Sequence, residues 1–333
     1  MTTRPGQTTR DTPTAEATAL TSRLAVGIDL GGTQVRAALV DDSGRLLARA
    51  AARTDIAGRP CAVMRQIEGL FAEVTNGIET RRLAGIGVSA PGPLDSEAGI
   101  VLGVPTFPGW VDVPVTAWLG DALNLSVTLE NDGVAAAIGE WRFGAGRGLS
   151  DFVYVTVSTG IGGGVIADGR VLRGRRRLAG ALGHVTTAPE GAACACGNRG
   201  CWEAQASGTA FGTRARQRAA LMPASSLFAR GAAIDARLVV EAAREGDALA
   251  AQLVAEEAEL LGIGIANLLH LFSPEAVVLG GGVSAAFDLL QPGILRTVQA
   301  RALPPFRGVP VVAAQLGQNS GLVGAACLVL QRD

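Results

Sequence analysis

The chain has 333 residues, 48% of them hydrophobic, and a formal net charge of −1. That composition supports a large core and is far from a disordered one, and a near-zero charge gives no field for nucleic acid or an anionic membrane. All 29 basic residues are Arg, so chemistry that needs a lysine, a P-loop included, is excluded. Residues 1–23 have no apolar h-region and read as a mobile Thr/Pro/Arg tail, not a secretory signal; acidic Asp11 and Glu16 argue against a mitochondrial presequence. LAVGIDL (24–30), TQVRAALV (33–40), the turn DDSG (41–44) and RLLARAA (45–51) predict three strands joined by tight turns. A helix is predicted over 60–80. Strand LAGIGVSA (83–90) stops at PGP, and SVTLE (126–130) runs through NDG into a helix over 134–141.

The order of elements then restarts. DFVYVTVS (151–158) predicts a strand, TGIGGG (159–164) a glycine turn, and VIADGRVLRG (165–174) two short strands about an ADG turn. Helices follow at about 203–220 and 236–271, then strands at 276–282 and 309–315 and a final helix at 321–331. The apolar run LLGIGIANLLHLF (260–272) is too short to cross a membrane and predicts a buried helix. The recurrence implies two α/β halves, 24–142 and 143–320, with the end of the chain, 321–333, packing back on the first. Such a duplication favours a nucleotide held in the cleft between halves. A dinucleotide-binding fold is a poor match, because strands rather than helices follow both glycine loops.

Three glycine segments and one acidic segment carry the chemistry. In DLGGT, Asp29 can hold hydrated Mg²⁺ while Gly31, Gly32 and Thr33 offer donors to phosphate. Ser158, Thr159 and Gly160 offer a second set, and Gly281 and Gly282 follow a third strand. Each alone could be a tight hairpin; their recurrence favours phosphate. In LENDG, Asp132 can accept a proton from a substrate hydroxyl while Asn131 orients the substrate, or Asp132 can simply be a helix N-cap. Cys194, Cys196 and Cys201 follow C-x-C-x4-C, and with His184 they supply the four ligands of a closed structural Zn²⁺ site. Clustered cysteines favour a metal over disulfides and a cytoplasmic setting.

Taken together, GIDLGGTQVRAALV, SAPGPLD, ENDGVAAA, STGIGGG, GHV…CACGNRGCWEAQASG, VVLGGGVS and QNSGLVGAA resemble, in order, the segments of the ROK family of sugar kinases, from about residue 24 to the end. The resemblance implies the two-domain α/β fold of the actin/hexokinase-like (RNase H-like) superfamily, with an active-site cleft between duplicated halves. It implies an ATP- and Mg²⁺-dependent kinase of a hexose or hexose-like polyol, glucokinase-type before an N-acetylhexosamine, amino-sugar or cyclitol kinase. It also implies a homodimer, Asp132 as base, and Asn131, His184, Glu203, Thr106 and Gly92 around the sugar. In the family the zinc loop (184–201) stiffens the pocket wall. A sugar-sensing regulator is the rival from another class; the 23 or so residues before the first strand are too few for a DNA-binding domain. Two departures stand out: Ala181, in AGALGH, replaces the family's sugar-contacting Glu, and Thr106, in TFPGW, replaces its Asn. Phosphate chemistry is therefore expected intact and hydroxyl recognition altered.

Overall fold

A computed structural model describes residues 23–104 and 107–330. Residues 1–22 of the expected tail, Thr106, and residues 331–333 at the end of the expected closing segment lie outside the described residues. The first sheet is ordered β3-β2-β1-β4-β8 and contains β1 (Leu24–Leu30), β2 (Gln34–Asp41), β3 (Leu46–Arg53), β4 (Leu83–Ala90) and β8 (Val127–Asn131). The second is ordered β11-β10-β9-β12-β13 and contains β9 (Phe152–Val157), β10 (Ile161–Ala167), β11 (Arg170–Val171), β12 (Ala276–Gly280) and β13 (Val311–Ala313). In each sheet the opening strand pairs antiparallel with the next strand in sequence and parallel with a later one. The two sheets therefore repeat one topology. Both opening strands are buried along nearly their whole length, which is why they read as continuous apolar runs rather than alternating ones.

Helices cover the sheets. α1 (Pro60–Val74) and α2 (Val115–Leu123) lie in the first half, where a small sheet of β5 (Leu94–Asp95), β6 (Ile100–Gly103) and β7 (Val111–Val113) is inserted. α3 (Asp132–Phe143) follows β8. α4 (Trp202–Ala206), α5 (Gly208–Ala219), α6 (Ala236–Arg244), α7 (Ala248–Phe272) and α8 (Phe287–Arg301) belong to the second half. α9 (Ser320–Leu330) packs on β1, β4 and α3. Among the described residues no helix is long and apolar enough to cross a membrane.

Several boundaries differ from expectation, each for a local reason. α1 ends at Val74, short of 80, because Thr75 closes it and Gly77 takes φ +76°. The helix expected over 203–220 is two helices, since Ser207 caps a new one by accepting from Ala210 N. That over 236–271 also divides, at Gly246 (φ +92°) and the Asp247 cap. Gly162–Gly164, expected in a turn, lie within β10.

Candidate active site

The carboxyl ends of β1, β4 and β8 form one edge. Their parallel register sets Asp29 beside Ser89 and Ser89 beside Glu130, so the segments after each strand emerge together, where open sheets receive ligands. Asp29 is held on both oxygens. Oδ1 accepts from Ser89 Oγ at 2.7 Å, and Oδ2 accepts from Arg36 Nε at 3.0 Å and from Arg36 Nη2. Arg36 in turn donates through Nη1 to the Gln318 carbonyl at 2.8 Å. Gly31 N donates to the Gln34 carbonyl at 3.0 Å, which closes the turn and leaves Gly32 and Thr33 exposed at its tip.

At the end of β8 the cap of α3 is Asn131. Its Oδ1 accepts from Gly133 N at 3.1 Å and Val134 N at 3.4 Å. The reading of Asp132 as the N-cap is thereby corrected: Asn131 has the short acceptor in the extended backbone position that capping needs, and Asp132 is the first helical residue. Solvent reaches the Asp132 side chain, yet enough protein surrounds it to disfavour the charged form. Desolvation first, and then repulsion from Asp29, raise its pKa to about 6, against the opposing bond from Gly133 N at 2.8 Å. A carboxylate so placed is ionised at neutral pH and is a better proton acceptor than an ordinary one. The acid limb of a kcat/KM–pH profile is therefore expected at about pH 6, with activity lost as pH falls through it. A profile that stays flat down to about pH 4, the ordinary carboxylate range, contradicts this role.

The second half forms the opposite wall. Gly133 of α3 lies directly against Gly163 of β10: a Cβ at Gly133 would stand 2.5 Å from Gly163 N. Gly163 is equally confined, since its own Cβ would meet the Tyr154 carbonyl at 2.2 Å. Close approach of backbone, rather than a turn, explains Gly163 and Gly164, the latter with its would-be Cβ 2.6 Å from Ala137 Cβ of α3. The contact brings Asp132 beside the strand that continues from the Ser158–Gly160 turn. That turn closes by a bond from Ser158 N to the Gly160 carbonyl at 2.9 Å, with Ser158 and Thr159 exposed. Register places Thr156 beside Gly280, and a Cβ on Gly282 would lie 3.8 Å from Ser158 Oγ. Residues 158–160 and 281–282 thus share one surface.

Glu203 is tied to the same turn, its Oε2 accepting from Ile161 N at 2.9 Å. Gly92 adjoins Asn131, with its would-be Cβ 3.5 Å from Asn131 Nδ2. On β8, buried Glu130 accepts from Asn131 N at 3.1 Å and Arg173 Nε at 3.4 Å, and burial pushes its pKa up.

His184, Cys194, Cys196 and Cys201 converge, their ligand atoms all within 4.8 Å of one another. His184 Nδ1 is 3.7 Å from Cys194 Sγ, and Cys196 Sγ is 3.7 Å from Cys201 Sγ. The sulfurs are not paired in a disulfide, which needs about 2.05 Å. The edge of a tetrahedron of sulfurs at about 2.3 Å from a zinc is about 3.8 Å, so the donor set fits that ion. Gly200, at φ +73°, lets the loop turn where a Cβ would stand 1.7 Å from the Ala188 carbonyl. The cluster joins Ala181–His184 to the start of α4, which carries Glu203. Ala181 itself is exposed.

Sequence reasoning missed Arg36 and Ser89. Ser89 could have been found from its place just before PGP at a strand end. Arg36 carried no signal beyond its inward phase on β2, seven residues from Asp29.

Comparison with known proteins agrees with this geometry. Residues 25–332 match the family model described as the ROK family. A glucokinase of Thermotoga maritima is 37% identical, over 92% of this chain and 97% of that protein. An N-acetylmannosamine kinase of Yersinia pseudotuberculosis is 33% identical over 90% and 96%. The crystal structure of a ROK family glucokinase from Streptomyces griseus, in complex with glucose and AMPPNP, superposes with a TM-score of 0.82 at 36% identity, covering 93% of this chain and all of that one. The repeated sheets are those of the actin/hexokinase-like fold, and the chain belongs to the ROK family.

Proposed function

We propose that the chain is an ATP-dependent sugar kinase of the glucokinase type, acting on a hydroxyl of a hexose or hexose-like polyol. One observation carries the reading: Asp132, its pKa raised to about 6, stands at the head of a helix that touches the strand behind a phosphate-type turn. In the reaction the acceptor hydroxyl gives its proton to the Asp132 carboxylate, and its oxygen bonds to the γ-phosphorus. The bond from that phosphorus to the bridging oxygen breaks, and its electron pair leaves with ADP.

Asn131, Gly92, Thr106, His184 and Glu203 hold the sugar. Gly31, Gly32, Thr33, Ser158, Thr159 and Gly160 donate to phosphate oxygens, and Gly281 and Gly282 admit the nucleoside. Asp29 would face hydrated Mg²⁺, and because both its oxygens already accept protein donors, contact through water suits it best. The metal would neutralise charge on the β- and γ-oxygens. Residues 24–142 and 143–320 act as two domains about this cleft, with the 321–333 segment serving the first, in a cytoplasmic homodimer.

The His184/Cys cluster holds a structural zinc that stiffens the sugar wall. About one zinc per chain is expected by elemental analysis. Stripping it should loosen residues 184–201 and weaken sugar binding more than ATP binding. Carefully prepared protein without zinc would rule this out.

The exposed methyl of Ala181 favours a second reading within the same chemistry, an acceptor altered at one hydroxyl, such as an N-acetylhexosamine or cyclitol. ADP release measured over hexoses, N-acetylhexosamines and cyclitols tests both readings. Release with one class identifies the acceptor, and release with none overturns the kinase.

A further inference from the structure

Among the described residues the chain passes between the two halves twice, at 144–151 after α3 and at 314–319 before α9. Both passages converge on one side chain. Glu140 of α3 is fully buried. Its Oε2 accepts from Ala145 N at 2.9 Å and from Gln315 N at 3.0 Å. Its Oε1 accepts from Leu316 N at 2.9 Å and from Ser320 Oγ at 2.7 Å. The first donor belongs to the outgoing passage, the next two to the returning one, and the last to the first residue of α9.

A fully buried carboxylate with four donors is costly to disturb, because each bond is charge-assisted and each donor loses its partner at once. Its position matters for the reaction. Asp132 heads the same helix, two turns away on a rigid element. The 158–160 and 281–282 turns belong to the other half. The setting of base against phosphate is therefore the setting of α3 against the two passages.

We infer that Glu140 is a positioning residue for phosphoryl transfer: it pins α3 to both passages and so fixes Asp132 relative to the phosphate-binding turns. This rests on the kinase reading above. Glu140→Gln is the probe, since it keeps the volume but replaces one oxygen with an NH₂. Turned toward Ala145 N and Gln315 N the NH₂ faces two donors; turned the other way it faces Leu316 N, and the Ser320 hydroxyl must switch from donating to accepting. A small error of placement between reacting groups costs about 10²-fold in rate, more than the weakened hydrogen bonds by which either ligand bridges the two halves.

The expected result for folded full-length E140Q is a kcat lower by about 10–10²-fold, with the affinities for AMPPNP alone and for the acceptor alone falling clearly less than kcat. Ser320→Ala, which removes one donor and leaves the carboxylate, is expected to show a smaller loss of kcat with the same split. If E140Q does not fold, S320A alone decides. A native kcat in the folded variant, or kcat falling in step with both affinities, overturns the inference. If the native chain releases no ADP with any acceptor, it is the kinase reading that fails, and the native control shows this independently.

Discussion

Asp132→Asn is expected to lower kcat by about 10²–10⁴-fold, the usual worth of a positioned general base, with ATP affinity retained. The structure sharpens this test. Asn131, not Asp132, caps α3, so the substitution leaves the helix start in place and removes only the proton acceptor. Asp132 also carries its charge at an energetic disadvantage, since desolvation and Asp29 both raise its pKa. The neutral variant should therefore fold at least as stably as the native chain above about pH 6, where native Asp132 is ionised. A variant with near-normal kcat would reduce Asp132 to a bystander.

Much of this site was legible because its signals are local. LAVGIDL and DFVYVTVS read as buried strands by continuous hydrophobicity, and the restart of strand, glycine turn and strand gave the duplicated halves that the sheet orders repeat. C-x-C-x4-C with His184 converged as spacing suggested. What stayed hidden depends on contacts between distant segments. The glycines at 162–164 looked like a turn, but they sit in β10, and at Gly163 and Gly164 the Tyr154 backbone and α3 leave no room for a Cβ. That Asn131 rather than Asp132 caps the helix turned on a single backbone position. Strands β5 to β7 have two to four residues each, too short for any alternation to show. Glu140 has no local signal beside it in the sequence; only the return of the chain at 315–320 reveals its partners.

Glucose is expected to be a poor acceptor, with KM above the common range of about 1 µM–1 mM. Ala181 stands three residues before His184 and is exposed, in a segment that the Cys/His cluster joins to Glu203. A carboxylate there accepts hydroxyl hydrogen bonds and separates epimers; a methyl cannot accept and leaves space for an apolar or bulkier group, or for water. A hydrogen bond to a charged group is worth about 1.5–3 kcal/mol, or about 10–10²-fold in kcat/KM. A hexose-like compound altered at that hydroxyl is expected to be the better acceptor. Ala181→Glu should shift preference toward ordinary hexoses by a factor of that order, read as kcat/KM for glucose and for the best alternative acceptor in both proteins. If the native chain already uses glucose with kcat/KM near 10⁵ M⁻¹s⁻¹, within the ordinary enzyme range, the methyl has no special meaning and plain glucokinase activity stands.

The central claim is that the cleft between the two repeated sheets moves a phosphoryl group from ATP to a sugar hydroxyl with Asp132 taking the proton. The most direct test follows the label from γ-³²P-ATP in native and D132N protein with the best acceptor present. The account predicts one labelled phosphomonoester on the acceptor for each ADP formed by the native chain, little ADP without acceptor, and transfer nearly abolished in D132N. ADP formed equally without acceptor, label appearing only as free phosphate, or undiminished transfer by D132N would contradict it.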